Sequence, residues 1–141
     1  MTDLTFTLTM GDWSVVRTGR ACELWAYDGS RFEHFLDRMR RRNRKEFACL
    51  KAYLDKHVDR PRHENQYWFH RISGRPHLYE IKPTKHVRLV GFWLQPSRIF
   101  VIVLWVFKSQ RRLPSDVFDT ADERRKAFLE EYGRESGRMG R

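Results

Sequence analysis

The nine-residue run Ile99–Phe107, IFVIVLWVF, constrains the fold more than any other segment of the chain. All nine side chains are apolar and most are β-branched or aromatic, the types that pack best on a pleated surface. The run is about half the length needed to span a bilayer as a helix. It reads as a central strand covered on both faces. Such a strand needs partners, and 141 residues supply them within one domain. Five Trp, ten Phe and five Tyr provide the apolar bulk that a disordered chain lacks.

The remaining pattern supplies the partners. Leu4, Phe6, Leu8 and Met10 alternate with threonines, predicting a half-buried strand, and short strands are expected over Trp13–Arg17 and Ala21–Tyr27. Ser30 with Glu33 matches a capping box, and Phe32, Phe35, Leu36 and Met39 follow at helical spacing. Asn43 punctuates that helix. Phe47, Leu50, Leu54 and Val58 form a second stripe, stopped at Pro61, so a helical hairpin is expected. Residues 62–76 are polar and turn-rich around the island Tyr67-Trp68-Phe69. Strands are expected at Leu78–Lys82, with Leu78, Glu80 and Lys82 on one face, and at Val87–Leu94, joined by a turn at 95–98 to the apolar run. Thr120 with Glu123 opens a short helix ending at Gly133. The expected fold is α+β: an antiparallel twisted sheet of about four to five strands on an N-terminal helical hairpin, with a short C-terminal helix. Residues 1–20 form an N-terminal extension with extra strands, 21–133 the main domain, and 134–141 a flexible basic tail.

Charge points to partners. Of 28 basic and 18 acidic residues, the stretch 65–115 holds nine basic ones against the single acid Glu80. These are Arg71, Arg75, Lys82, Lys85, Arg88, Arg98, Lys108, Arg111 and Arg112, with His70, His77 and His86 among them. A solvated helix face interleaves its charges; this stretch does not, and a partner that neutralises it is expected: nucleic acid, an anionic membrane surface or an acidic protein. The run Arg38, Arg40, Arg41, Arg42, Arg44, Lys45 admits two readings. Cations at a helix C-terminus are favourable in themselves, and phosphate contact fits equally well.

Other chemistries fare poorly. His63, His70 and His77 are spaced by seven, but no further ligand completes a set, so no metal and no cofactor are expected. Cys22 and Cys49 read as small buried hydrophobes, and His34 and His57 as structural or solvated. The N-terminus lacks the layout of a secretion signal and no apolar stretch approaches membrane length, so a cytoplasmic protein is expected, with no membrane partner.

Four segments in order, Leu78–Lys82, Val87–Trp93, Val103–Lys108 and Ala121–Arg124, make the chain resemble the RelE/HigB toxins of bacterial toxin–antitoxin systems, most closely the HigB-type, phage-derived branch. The resemblance covers about residues 21–135. It implies a RelE-like fold and a metal-free endoribonuclease that cuts messenger RNA, usually on the ribosome. It also implies an antitoxin partner, expected to be a helix-turn-helix protein, and no small-molecule cofactor. Lys82 and Arg88 match the family's basic strand positions, and Lys108 matches the lysine closing the apolar strand, with Arg111 and Arg112 beyond it. A lysine found in some members two residues before Lys82 is Glu80 here, and the late tyrosine position holds Phe118.

Cleavage through the 2′-OH requires a base, cations for the pentavalent phosphorane and an acid for the leaving oxygen. Lys82, Arg88 and His86 are the candidate catalytic residues. Lys85, Arg98, Lys108, Arg111, Arg112, Arg75 and His77 are candidate RNA contacts. Arginine binds phosphate bidentately, and histidine is the residue suited to proton transfer near neutrality. Two rivals stand beside this reading: a ParE-like gyrase inhibitor, and a non-catalytic RNA-binding module of phage origin.

Overall fold

The computed structural model describes residues 9–59, 69–94, 98–107 and 113–139. Strands β1 (Thr9–Met10), β2 (Trp13–Thr18) and β3 (Glu23–Tyr27) lead into helices α1 (Gly29–Arg42) and α2 (Arg44–Asp59). Then follow β4 (Phe69–Ile72), β5 (Arg75–Ile81), β6 (Val87–Leu94), β7 (Ile99–Phe107) and helix α3 (Ser115–Met139). All strands join one sheet in the order β1-β2-β3-β7-β6-β5-β4. The apolar run is its central strand β7, and Phe100–Val103 are fully buried.

The sheet is not the antiparallel one of four to five strands expected for a RelE-like fold. It has seven strands, β1 being only two residues long, and it is mixed. β3 runs parallel to β7, pairing Trp25 with Val101, while the other neighbouring pairs are antiparallel. Parallel pairing needs a long crossover, and here everything from α1 to β6 lies between the two strands. Alternation of apolar residues carries no sign of strand direction, so this feature has no signal in the sequence. β4 is the other addition. The sequence predicts a polar, turn-rich loop here, yet the segment pairs with β5 through a turn in which Gly74 adopts φ 79°, a conformation glycine reaches without steric cost.

Both sheet faces are covered. Phe32, Leu36 and Met39 of α1, with Leu50, Leu54 and Val58 of α2, pack on Leu24, Ile81, Leu89 and Ile102. On the opposite face, α3 seats Phe128 against Trp13, Trp25 and Phe92, with ring centroids 4.9, 5.9 and 5.6 Å away. Arg124 is tied across to the Val103 carbonyl at 2.8 Å and lies over the Tyr27 ring.

The helix boundaries also differ from expectation. α1 begins two residues early, capped by Asp28 in place of Ser30, and the Asp28 side chain accepts from the Arg31 N–H. α3 is long, not short: it starts at Ser115 after Pro114 and runs to Met139, through Gly133 and into the 134–141 segment expected to be a flexible tail. Thr120 sits within it, its hydroxyl donating to the Asp116 carbonyl one turn back. Gly133 meets nothing where a Cβ would sit, and glycine at an exposed helical site costs only about 1 kcal/mol. Among the described residues no helix is long and apolar enough to cross a membrane.

Candidate functional site

Strand register gathers several candidate residues at one end of the sheet. β5 and β6 pair Ile81 with Leu89, which sets Lys82 across from Arg88. β6 and β7 pair Val87 with Phe107. The loop 82–86 and the end of β7 therefore meet at this end.

The loop is fastened to the first turn of α2. Asn43 accepts from the Glu46 N–H at 3.1 Å, and its amide donates back to the Glu46 carboxylate at 3.2 Å. That carboxylate also accepts from Thr84 Oγ1 at 2.6 Å and from the His86 backbone N–H at 2.9 Å. It lies 3.1 Å from Nδ1 of the His86 imidazole. Thr84 Oγ1 accepts in turn from the Val87 N–H at 3.1 Å. Glu46 is only 9% exposed. Burial opposes its ionisation, but the hydrogen bonds from Thr84 and His86 outweigh it and hold the carboxyl below its usual range. An acid in the first turn also complements the helix dipole.

His86 is thereby oriented. Its ring stacks on Phe107, with centroids 5.5 Å apart and planes within 17°. With Nδ1 donating to the carboxylate, Nε2 is left for exchange with a ligand, the usual arrangement for an imidazole that moves protons.

Arg88 has a different place from the one expected. It is 6% exposed. Its Nη1 donates to the Lys85 carbonyl at 3.2 Å, and its Nε lies 3.4 Å from Glu80 Oε2. Glu80, 7% exposed, has its other oxygen 3.6 Å from His70 Nε2. Arg88 is thus a tie inside the fold, holding the loop that carries His86. Lys82 is half-buried just past β5, and Lys85 is exposed in the loop.

The remaining candidates lie apart. Arg75 is committed to Asp119 and Asp122 of α3, each at 2.6 Å. His77 is exposed near the start of β5, and Arg98 is exposed beside Ile99, at the far end of β7. Lys108, Arg111 and Arg112 lie outside the described residues, as do Tyr67 and Trp68. Phe69 is fully buried. His57 is buried among Tyr53, Phe69, Trp93 and Phe100, a structural role as expected. Cys22 is buried as expected, but Cys49 is exposed on α2.

A groove of about 410 Å³ adjoins His86, between the C-terminal half of α1 and the end of β7. Phe35, Trp105 and Phe107 line it, together with Arg38 and Arg42, one turn apart on α1. Their neighbours Arg40 and Arg41 are engaged by Asp37 at 2.5 and 3.2 Å. Among the described residues, Arg38 and Arg42 have no carboxylate partner. The basic run was visible in the sequence; which of its members look into a groove was not. Glu46 had no signal beyond its place three residues after Asn43. Among the described residues no cluster of three His, Cys, Asp or Glu side chains could hold a metal ion.

Compared with known proteins, the chain matches no family model and no curated protein.

Proposed function

We propose that the protein is the toxin of a toxin–antitoxin pair, an endoribonuclease that cuts messenger RNA in the cytoplasm, on the ribosome. The observation that carries the reading is the pairing of buried Glu46 with Nδ1 of His86, in a loop bearing Lys82 and Lys85. Lys82, as the neutral amine, takes the 2′-OH proton, the 2′ oxygen bonds to phosphorus, and Lys85 offsets the charge of the phosphorane. Protonated His86 delivers its proton to the 5′ oxygen as the P–O5′ bond breaks, leaving a 2′,3′-cyclic phosphate and a 5′-OH. Arg88 is a positioning residue here, acting through the Lys85 carbonyl. The resemblance of residues 78–124 to RelE/HigB toxins supports messenger RNA as substrate and an antitoxin, with an acidic segment over this surface, as inhibitor.

Primer extension on a reporter messenger RNA in a cell-free bacterial translation reaction tests this. Discrete new 5′ ends are expected with the wild type. They should fall by about 10²–10⁴-fold with His86→Ala, the usual worth of a general acid, while RNA binding persists. The burial of Arg88 against Glu80 favours a second reading, a non-catalytic RNA-binding module. A folded wild type that binds RNA and makes no cuts, with or without ribosomes, would establish it.

A further inference from the structure

We propose that the groove between α1 and the end of β7 is a nucleobase subsite for single-stranded RNA, with Arg38 and Arg42 on the flanking phosphates. The inference rests on RNA as the ligand class proposed above, but not on cleavage. Three features meet there. Its walls are the flat side chains Phe35, Trp105 and Phe107, and Phe107, 53% exposed, is the exposed large hydrophobic residue among those described. Stacking on aromatic faces is how single-stranded nucleic acid is held without sequence preference. The volume lies within the range of small-ligand sites, about 300–1,000 Å³.

Charge selects the ligand further. Arg40 and Arg41 are neutralised by Asp37, whereas Arg38 and Arg42 line the groove with no carboxylate partner among the described residues. An acidic peptide would also meet these arginines, but it does not call for three planar rings around one slot. Phe107 joins the groove to His86, since its ring lines the one and stacks on the other. A base seated here would hold the strand next to the loop 82–86.

The test is fluorescence anisotropy of the full chain with a short fluorescein-labelled 2′-O-methyl oligoribonucleotide, whose blocked 2′ oxygens cannot be cut. The double variant Arg38→Ala, Arg42→Ala should weaken binding about tenfold or more. It should also reduce the slope of log affinity against log salt by about 1.4, two single-strand phosphates' worth. Phe107→Ala should weaken binding about fivefold or more with the salt slope unchanged. The control Arg40→Ala, Arg41→Ala removes the same charge and should stay within about twofold. Equal losses in the two double variants, or no loss with Phe107→Ala, would overturn the subsite. So would an acidic peptide that binds the groove while the oligonucleotide does not. A wild type that cuts messenger RNA while the groove variants bind normally sinks the subsite alone. One that binds through the groove and never cuts sinks the nuclease alone.

Discussion

The carboxylate of Glu46, in the first turn of α2, lies 3.1 Å from Nδ1 of His86, forty residues further along the chain. One side chain thus bonds back to the residue preceding its helix, clips the β5–β6 loop through Thr84 and the His86 N–H, and holds an imidazole that stacks on Phe107. Because these tasks share one buried anion, they stand or fall together.

Acid should expose that dependence. The folded Glu46 carboxyl ionises below its ordinary value of 4.5. Its contribution to stability is therefore complete above that pH and lost as pH falls through the lower folded value. Glu46→Ala should cost about 2 kcal/mol near neutrality, the scale of hydrogen bonds to a charged group. Glu46→Gln should show a flatter loss on acidification. Urea midpoints across pH 3–6, roughly spanning the carboxylate range, measure this; identical pH profiles for wild type and Glu46→Gln would refute it.

Glu80 and Arg88 form a pair in which each partner makes the other tolerable. Glu80→Ala removes the carboxylate beside a guanidinium that is 6% exposed, and breaking a buried pair in this way costs about 3–5 kcal/mol. Replacing both by leucine should recover most of the loss, since neither charge of the pair then remains buried. Denaturant unfolding of the single and double variants decides it, and a double variant as unstable as the single one would contradict the account.

Gly91 is a packing requirement. A Cβ there would collide with the Val101 carbonyl oxygen and sit 2.6 Å from the Phe100 ring. It lies where the β6–β7 register shifts between Val90 and Gly91, and the neighbouring backbone belongs to the central strand. Gly91→Ala should destabilise by about 1–3 kcal/mol or more, read as a lowered thermal midpoint. An unchanged midpoint would mean that the two strands separate freely at this point.

The two cysteines should be told apart by a thiol reagent. Burial, with Glu23 and Asp59 nearby, pushes the Cys22 thiol up to about 11, and thiolate is the reactive form. Cys49 is exposed on α2. One thiol per chain should react promptly at pH 8, roughly the ordinary cysteine range, and the second only on unfolding. Cys49→Ser should abolish the prompt phase, and two prompt thiols in the native protein would count against the burial of Cys22.

Much of the fold was legible because local pattern reports which face of an element meets the core. The stripes Phe32-Leu36-Met39 and Leu50-Leu54-Val58 are the residues that α1 and α2 bury. Tyr79 and Ile81 do lie on one face of β5 and Leu78 on the other. The site was legible only in part. His86 and Lys82 stand at one end of the sheet, whereas Arg75 is spent on α3 and Arg88 on Glu80. A basic residue looks the same in sequence whether water, a carboxylate or a ligand surrounds it.

The sequence by itself determined the apolar centre of the sheet at Ile99–Phe107, the two amphipathic stripes of α1 and α2, and the excess of positive charge over residues 65–115. Each is a property of neighbouring residues, set by periods of two and 3.6 or by composition. Only the tertiary structure decided the parallel pairing of β3 with β7, the covering of the second face by Phe128 of α3, and the meeting of Glu46 with His86. Those depend on which distant segments pack together, and packing is chosen by the free energy of the whole core, which no short window contains.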